Sequence, residues 1–194
     1  AYMHCKEKVI GPSLKKKLGL GLELPKCFNS DKFGTFTGEQ ERPSTQMETA
    51  ILKAKDIVHN HHASIVISSE GAFNPHPVVP FVTLNREVVI LMDVENDLLI
   101  HGEALSTETN FDRKTISSLK EAMEFCNYAK FPEHAVILRS SQNEIIKKGI
   151  QSWGAIEDAY NELNTLYHPL MIETDMRAMY NPTRMKVIEA ATLD

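Results

Sequence analysis

Cysteine is scarce in this chain and has no pairing pattern. The three cysteines, Cys5, Cys27 and Cys126, lie far apart and are odd in number. They make neither a disulfide framework nor a Cys-x-x-Cys metal pair, and such usage points to a reducing cytoplasm. Long apolar runs are missing too. No stretch approaches the roughly 18 residues needed to span a bilayer, and no signal peptide precedes the first expected strand. Positive charge is not in excess. The formal net charge of −5 argues against a general nucleic-acid binder and against a partner of anionic membranes. No Gly-x-Ser-x-Gly, Walker or dinucleotide fingerprint occurs, nor any repeat, low-complexity tract or linker. What remains is 194 residues with 42% hydrophobic content, enough for one well-buried domain over 1–194.

Periodicity and turn residues predict strands at 1–5, 20–24, 63–68, 86–94, 97–105, 135–139 and 170–172, with 145–150 ambiguous. Helices are expected at 7–18, 45–59, 115–130 and 154–167, and a last one starts at Asn181-Pro182, Asn as N-cap and Pro in the first turn. Glu95-Asn96 suits a tight antiparallel turn. A long polar loop runs from Cys27 to Ser44, and a Pro-rich loop follows Gly71. Strands alternating with helices predict a mixed, mostly parallel central α/β sheet with one antiparallel hairpin and flanking helices. Ligand sites in such sheets lie beyond the carboxyl ends of the strands. His4, Lys6, Glu70, Glu173 and Asp175 all fall at such ends.

The chemistry-bearing residues group accordingly. Arg184 falls inside the apolar stripe of Met185, Ile188 and Ala191, where an arginine is costly to bury without an anion. A helix start favours an anion at the same place. Arg177 stands between that start and the acids Glu173 and Asp175, so a site for phosphate and its metal ion is expected, with a buried ion-pair network as the alternative. His4 and Lys6 occupy a strand-to-helix junction, and Lys6 would add a mobile charge for phosphate. The loop holding Thr35 and Arg42 is long for a connector and has glycines suited to backbone approach. Glu48 and Lys53 border the buried face of the 45–59 helix, where most charges are simply solvated. Glu70, at a strand tip before Gly71, is a candidate oxygen ligand for a divalent ion. His76, between two prolines, and Asn110, in the Thr107–Phe111 segment, are candidate ligand contacts, although a structural role suits His76 as well. His59, His61 and His62 are explained by the dipole at a helix end, Lys15–Lys17 by a solvated face, and Trp153 by packing.

The order of these motifs resembles the inosine/xanthosine triphosphate pyrophosphatase superfamily. Ala1-Tyr2-Met3-His4-Cys5-Lys6-Glu7 is similar to its opening strand–loop–helix, Glu48-Thr49-Ala50-Ile51-Leu52-Lys53-Ala54 to its Glu-Asn-Ala-x-x-Lys-Ala helix, and Ser69-Glu70-Gly71 to the end of its third strand. The resemblance implies a pyrophosphatase-like fold, a purine nucleoside triphosphate substrate and Mg²⁺ (or Mn²⁺). By that resemblance Lys6 and Lys53 would hold phosphate, and Glu48 and Glu70 would hold metal or position water. The reading of the residues themselves adds Asp175 to Glu48 and Glu70 as acids that gather metal and activate water. His4, Lys6, Thr35, Arg42, Lys53, His76, Asn110, Arg177 and Arg184 would hold the substrate and its phosphates. Departures are His4 in place of Asn, Ser69 in place of an acid, and Glu173-Thr174-Asp175-Met176-Arg177-Ala178 in place of Ser-His-Arg. Nearly the whole chain also resembles an uncharacterised bacterial domain family. Its signatures are Gly34-Thr35-Phe36-Thr37, the Glu70 to Pro77 segment, Thr107-Glu108-Thr109-Asn110-Phe111 and Glu173 to Met185. Members of that family often continue into a zinc-ribbon-like tail. The expected function is Mg²⁺-dependent hydrolysis of a nucleotide or related phosphorylated small molecule. A non-catalytic nucleotide-binding or ligand-sensing domain is the alternative, and a homodimer is allowed.

Overall fold

The computed structural model describes residues 4–25, 28, 33, 45–140 and 146–194. They divide into two compact units, one of residues 1–109 with 183–194 and one of residues 110–182. Each is described by itself.

The first unit opens with a turn at 4–6 and helix α1, Glu7–Leu18. Glu7 in its first turn and Lys15, Lys16 and Lys17 in its last complement the helix dipole. Gly19 ends it in the left-handed region at φ 71°, its N–H closing onto the Lys15 carbonyl. Residues 20–24, expected as a strand, have no sheet partner among the described residues. Helix α2, Gln46–His61, starts on a reciprocal cap. The Thr45 side chain accepts from the Glu48 N–H and the Glu48 carboxylate accepts from the Thr45 N–H.

Three strands follow: β1 (Ile65–Pro75), β2 (Thr83–Asp93) and β3 (Leu98–Ser106), in the order β1-β2-β3. β1 continues through Gly71 to Pro75, where a Pro-rich loop was expected, because its backbone pairs with β2 in unbroken register from Ile65↔Asp93 to Pro75↔Thr83. The hairpin expected at Glu95-Asn96 joins β2 to β3. Asp93 fixes its turn by accepting from the N–H groups of Glu95 and Asn96. Side chains alternate across the sheet. Val66, Val88 and Ile90 pack with Ala50, Ala54 and Ile57 of α2 and with Phe28. The opposite parity carries Ser69, Gly71, Glu87 and Gly102. On that side helix α5 (Pro182–Leu193) approaches so closely that a Cβ on Gly102 would meet the Ala191 carbonyl.

The second unit holds β4 (Arg113–Ile116), α3 (Leu119–Tyr128), β5 (Val136–Ser140), β6 (Ile146–Ile150), α4 (Trp153–Asn164) and β7 (Leu170–Thr174). The strand order is β4-β7-β5-β6. The helix expected from Thr115 begins only at Leu119, because Arg113–Ile116 pairs as a strand with β7 and Ser118 supplies the cap. Ile116, Leu138, Leu170 and Ile172 of the sheet form one core with Phe125, Cys126, Ile156 and Leu163 of the two helices.

The expected mostly parallel sheet is therefore corrected. Every strand pairing among the described residues is antiparallel, and the pyrophosphatase-like fold implied by the resemblance falls with it. Hairpin connections account for the first sheet. In the second, the crossovers β4-α3-β5 and β6-α4-β7 each skip a position, and an antiparallel strand fills the gap. Alternation of helix and strand along the chain looks the same in both arrangements. No helix among the described residues is long and apolar enough to cross a membrane.

Candidate functional site

In the first unit β1 delivers Ser68, Ser69 and Glu70, β2 delivers Glu87, α2 delivers Lys53, the turn before α1 delivers His4 and Lys6, and α5 delivers Arg184. Lys6, Ser69, Glu70, Glu87 and Arg184 are all at most 5% exposed. Lys6 Nζ donates to Ser69 Oγ at 3.0 Å and lies 4.0 Å from a Glu87 oxygen. Arg184 Nε donates to Glu87 Oε1 at 2.6 Å, and its guanidinium lies over the Phe73 ring at 5.8 Å. Lys53 Nζ is paired with the Glu70 carboxylate. Gly71 is required here, because any Cβ on it would run into the Glu87 carboxylate.

Electrostatics follow from this burial. Desolvation, reinforced by the neighbouring Arg184 charge, brings the Lys6 ammonium down to about 8, against the pull of Glu87 and Glu70. Lys6 and Arg184 thus meet Glu87 on one face of the sheet and Lys53 meets Glu70 on the other, three cations to two carboxylates among the described residues. An excess of buried positive charge is expensive unless an anion joins it.

Part of the cluster lines one small cavity, and a larger cleft shares two wall residues with that cavity. His4, Lys6, Lys53, Ser68 and Ser69, with Phe28, Ile57 and Ile67, line the small one, of about 20 Å³, at the outer edge of β1. A cleft of about 580 Å³ lies between residues 20–25 and the Ala63–Ile67 stretch, and Ile57 and Ile67 line it as well. The larger cleft has the size of a small-molecule site, with Glu23 and His61 among otherwise mainly apolar walls. The smaller one has room for about one water-sized polar group.

The structure brings His4, Lys6, Lys53, Glu70 and Arg184 into the same unit. Arg184 is buried on the inward face of α5 as its place in the apolar stripe required, and its anion is Glu87. Other expected site residues make contacts away from this cluster or lie outside the described residues. Glu48 is exposed and held by Thr45, whose backbone and side-chain hydrogen bonds lower its carboxyl below the usual range. His76 Nδ1 accepts from the N–H groups of Val78 and Val79, which shapes the loop between β1 and β2. Thr35 and Arg42 lie outside the described residues.

Asn110, Asp175 and Arg177 belong to the second unit, where they build a network of their own. Asp175 is fully buried and accepts from Gly149 N–H, from Arg177 N–H and from the Arg177 guanidinium, at 2.6 Å for Nη2. Arg177 stacks over Tyr180 at 4.6 Å. Asn110 donates to the Ala129 carbonyl and accepts from Asn181. This is the ion-pair alternative raised for the Glu173–Met185 stretch. The expected metal set of Glu48, Glu70 and Asp175 is accordingly not one site within either unit. Among the described residues no three His, Cys, Asp or Glu side chains gather as metal ligands.

A model of the family described as a domain of unknown function, DUF6671, matches residues 53–194. The chain belongs to that family. The matched span begins at Lys53 and takes in Ser69, Glu70, Glu87 and Arg184, whereas His4 and Lys6 precede it. No curated protein and no solved structure matches the chain.

Sequence reasoning assigned no charge-pairing role to Glu87 and treated Ser69 only as a lost acid. The signal for Glu87 was present. It interrupts the apolar alternation of Val89 and Leu91 on one strand face, and a carboxylate there needs a cation across the sheet. Nothing local to Ser69 announces Lys6, which lies 63 residues away.

Proposed function

We propose that the first unit binds a phosphorylated small molecule, with a nucleotide as the leading class, and hydrolyses its phosphate linkage. The observation that carries this reading is the small cationic cavity of Lys6, Lys53 and Ser69 beside a 580 Å³ mainly apolar cleft. A terminal phosphoryl oxygen would enter the first, and the organic body would lie in the second. Of the pyrophosphatase resemblance the proposal keeps Lys6, Lys53 and Glu70, each placed at this cluster. No metal step is part of it.

The test is a panel of nucleotides and their nucleosides, each with Mg²⁺ and with EDTA, read by melting temperature and by phosphate and pyrophosphate release. Phosphorylated members should raise the melting temperature while nucleosides do not, and release should accompany binding. Binding without release would reduce the reading to a nucleotide-sequestering domain, the alternative that Ser69 in place of an acid favours. Neither shift nor release across the panel would end it.

A further inference from the structure

Ser69 and Lys6 make a pair that anion binding alone does not call for. Their heavy atoms are 3.0 Å apart, both side chains are buried, and both line the small cavity. That separation is within reach for a nucleophile and its base. Resting on the phosphorylated-ligand reading above, we propose that Ser69 is a nucleophile with Lys6 as its general base, and that hydrolysis proceeds through a phosphoryl group carried on Ser69 Oγ.

In the resting arrangement the Lys6 ammonium donates to Ser69 Oγ. Once Lys6 is neutral the same contact reverses, and the hydroxyl donates to the amine. Attack then moves the Oγ proton to Lys6 Nζ and forms the Oγ–P bond. The bond from phosphorus to the leaving oxygen breaks with its electron pair, and that oxygen takes the proton back from Lys6. Water next attacks the phosphoserine. Its hydroxyl stays on phosphorus, its proton returns to Ser69 Oγ, and inorganic phosphate leaves. Lys53, on the wall of the same cavity, faces the charge that grows on the phosphoryl oxygens. The cavity of about 20 Å³ admits a phosphoryl oxygen and excludes a base or sugar.

The groups acting on Lys6 are consistent with a base working near neutrality. Burial and the Arg184 and Lys53 charges push its proton off, Glu87 and Glu70 hold it on, and the balance lies at about 8. An arginine at this position would keep the charge and the hydrogen bond yet could not accept the proton.

A fluorophosphonate tests the pair without knowledge of the natural ligand. It phosphonylates an activated serine as fluoride departs, and the adduct is located by mass spectrometry of the digested protein. We expect modification of Ser69, with a rate that rises roughly tenfold through pH 8, falls at least 100-fold in Lys6→Arg and vanishes in Ser69→Ala. Circular dichroism and melting establish that both variants are folded. The melting shift given by inorganic phosphate is measured alongside on the wild-type protein. A wild-type Ser69 left unmodified at pH 9, or modified equally fast in Lys6→Arg, overturns the nucleophile. If phosphate still raises the melting temperature in that case, the binding reading stands alone. Ser69 modified in a protein that phosphate does not shift would instead remove the phosphate reading on which the pair rests.

Discussion

The two units bury charge in opposite ways. In the second unit Asp175 meets Arg177, and Glu173 is paired with Arg139. These pairs are matched in sign and tied by extra bonds such as Gly149 N–H to Asp175. In the first unit Lys53 pairs with Glu70, while Lys6 and Arg184 share Glu87 on the other face of the sheet, three cations to two carboxylates among the described residues. A large apolar core backs the second unit. The first has a cleft of about 580 Å³ that shares Ile57 and Ile67 with the small cationic cavity. Matched buried pairs hold a shape, whereas the first unit's cluster is the setting on which the ligand proposal rests. On that contrast the proposed function is assigned to the first unit.

Substitutions at Asp175 and Gly102 should break the contrast hardest. Asp175→Ala strips two backbone donors and a guanidinium of their shared acceptor and should cost about 3 kcal/mol in urea denaturation. Phosphate binding by the first unit should survive wherever the variant remains folded. Gly102→Ala drives a methyl group into the Ala191 carbonyl and should cost about 1–3 kcal/mol by overpacking. A fully stable Gly102→Ala protein would deny the close approach of α5 to β3.

Next in size is the loss of ligand affinity. Lys53→Met removes one wall charge of the small cavity and frees Glu70 to repel an anion. Phosphate affinity by calorimetry should fall at least tenfold, and an unchanged affinity would move the site elsewhere. Asn in place of Asp175 serves as the control that leaves the first cluster untouched.

A pH titration sharpens the comparison further. Lys6 is lowered in the folded protein to about 8 from the usual 10.5, so the unfolded chain holds more protons between those values. Stability gains a contribution as pH rises through that window, and below about 8 the buried ammonium works against the fold. Phosphate affinity should run the other way and weaken above about pH 8, when the ammonium loses its proton. Affinity flat from pH 7 to 10 would take Lys6 out of the anion site.

The smallest effect belongs to the α2 cap. Thr45→Ala should cost about 1 kcal/mol and leave phosphate release intact, because Glu48 serves that helix end. Abolished release in Glu48→Gln with an unchanged melting temperature would return Glu48 to the chemistry.

Much of this architecture could be read along the chain, and the misses share a cause. Helix α1 was visible from Glu7 at one end and Lys15–Lys17 at the other, and α2 from its apolar stripe. The β2–β3 hairpin was visible in Glu95-Asn96, and the inward Arg184 in its spacing from Met185, Ile188 and Ala191. The direction of strand pairing was not. β4-α3-β5 reads as an ordinary parallel crossover until β7 is found lying between the two strands. His76 and Asn110 looked available until the loop backbone, the Ala129 carbonyl and Asn181 were seen to occupy them.

Sequence alone determined the local facts: where helices start and stop, which strand faces are apolar, and that Arg184 must be buried on an anion. These depend on neighbours within a few residues, whose spacing fixes their geometry. Tertiary structure alone decided that Lys6 reaches Ser69, that Glu87 is the anion for Arg184, and that Asp175 accepts from the Gly149 N–H. Such meetings are set by how strands and helices dock over long separations, and the free energy of docking is spread over many apolar contacts that carry no label for the polar pairs they bring together.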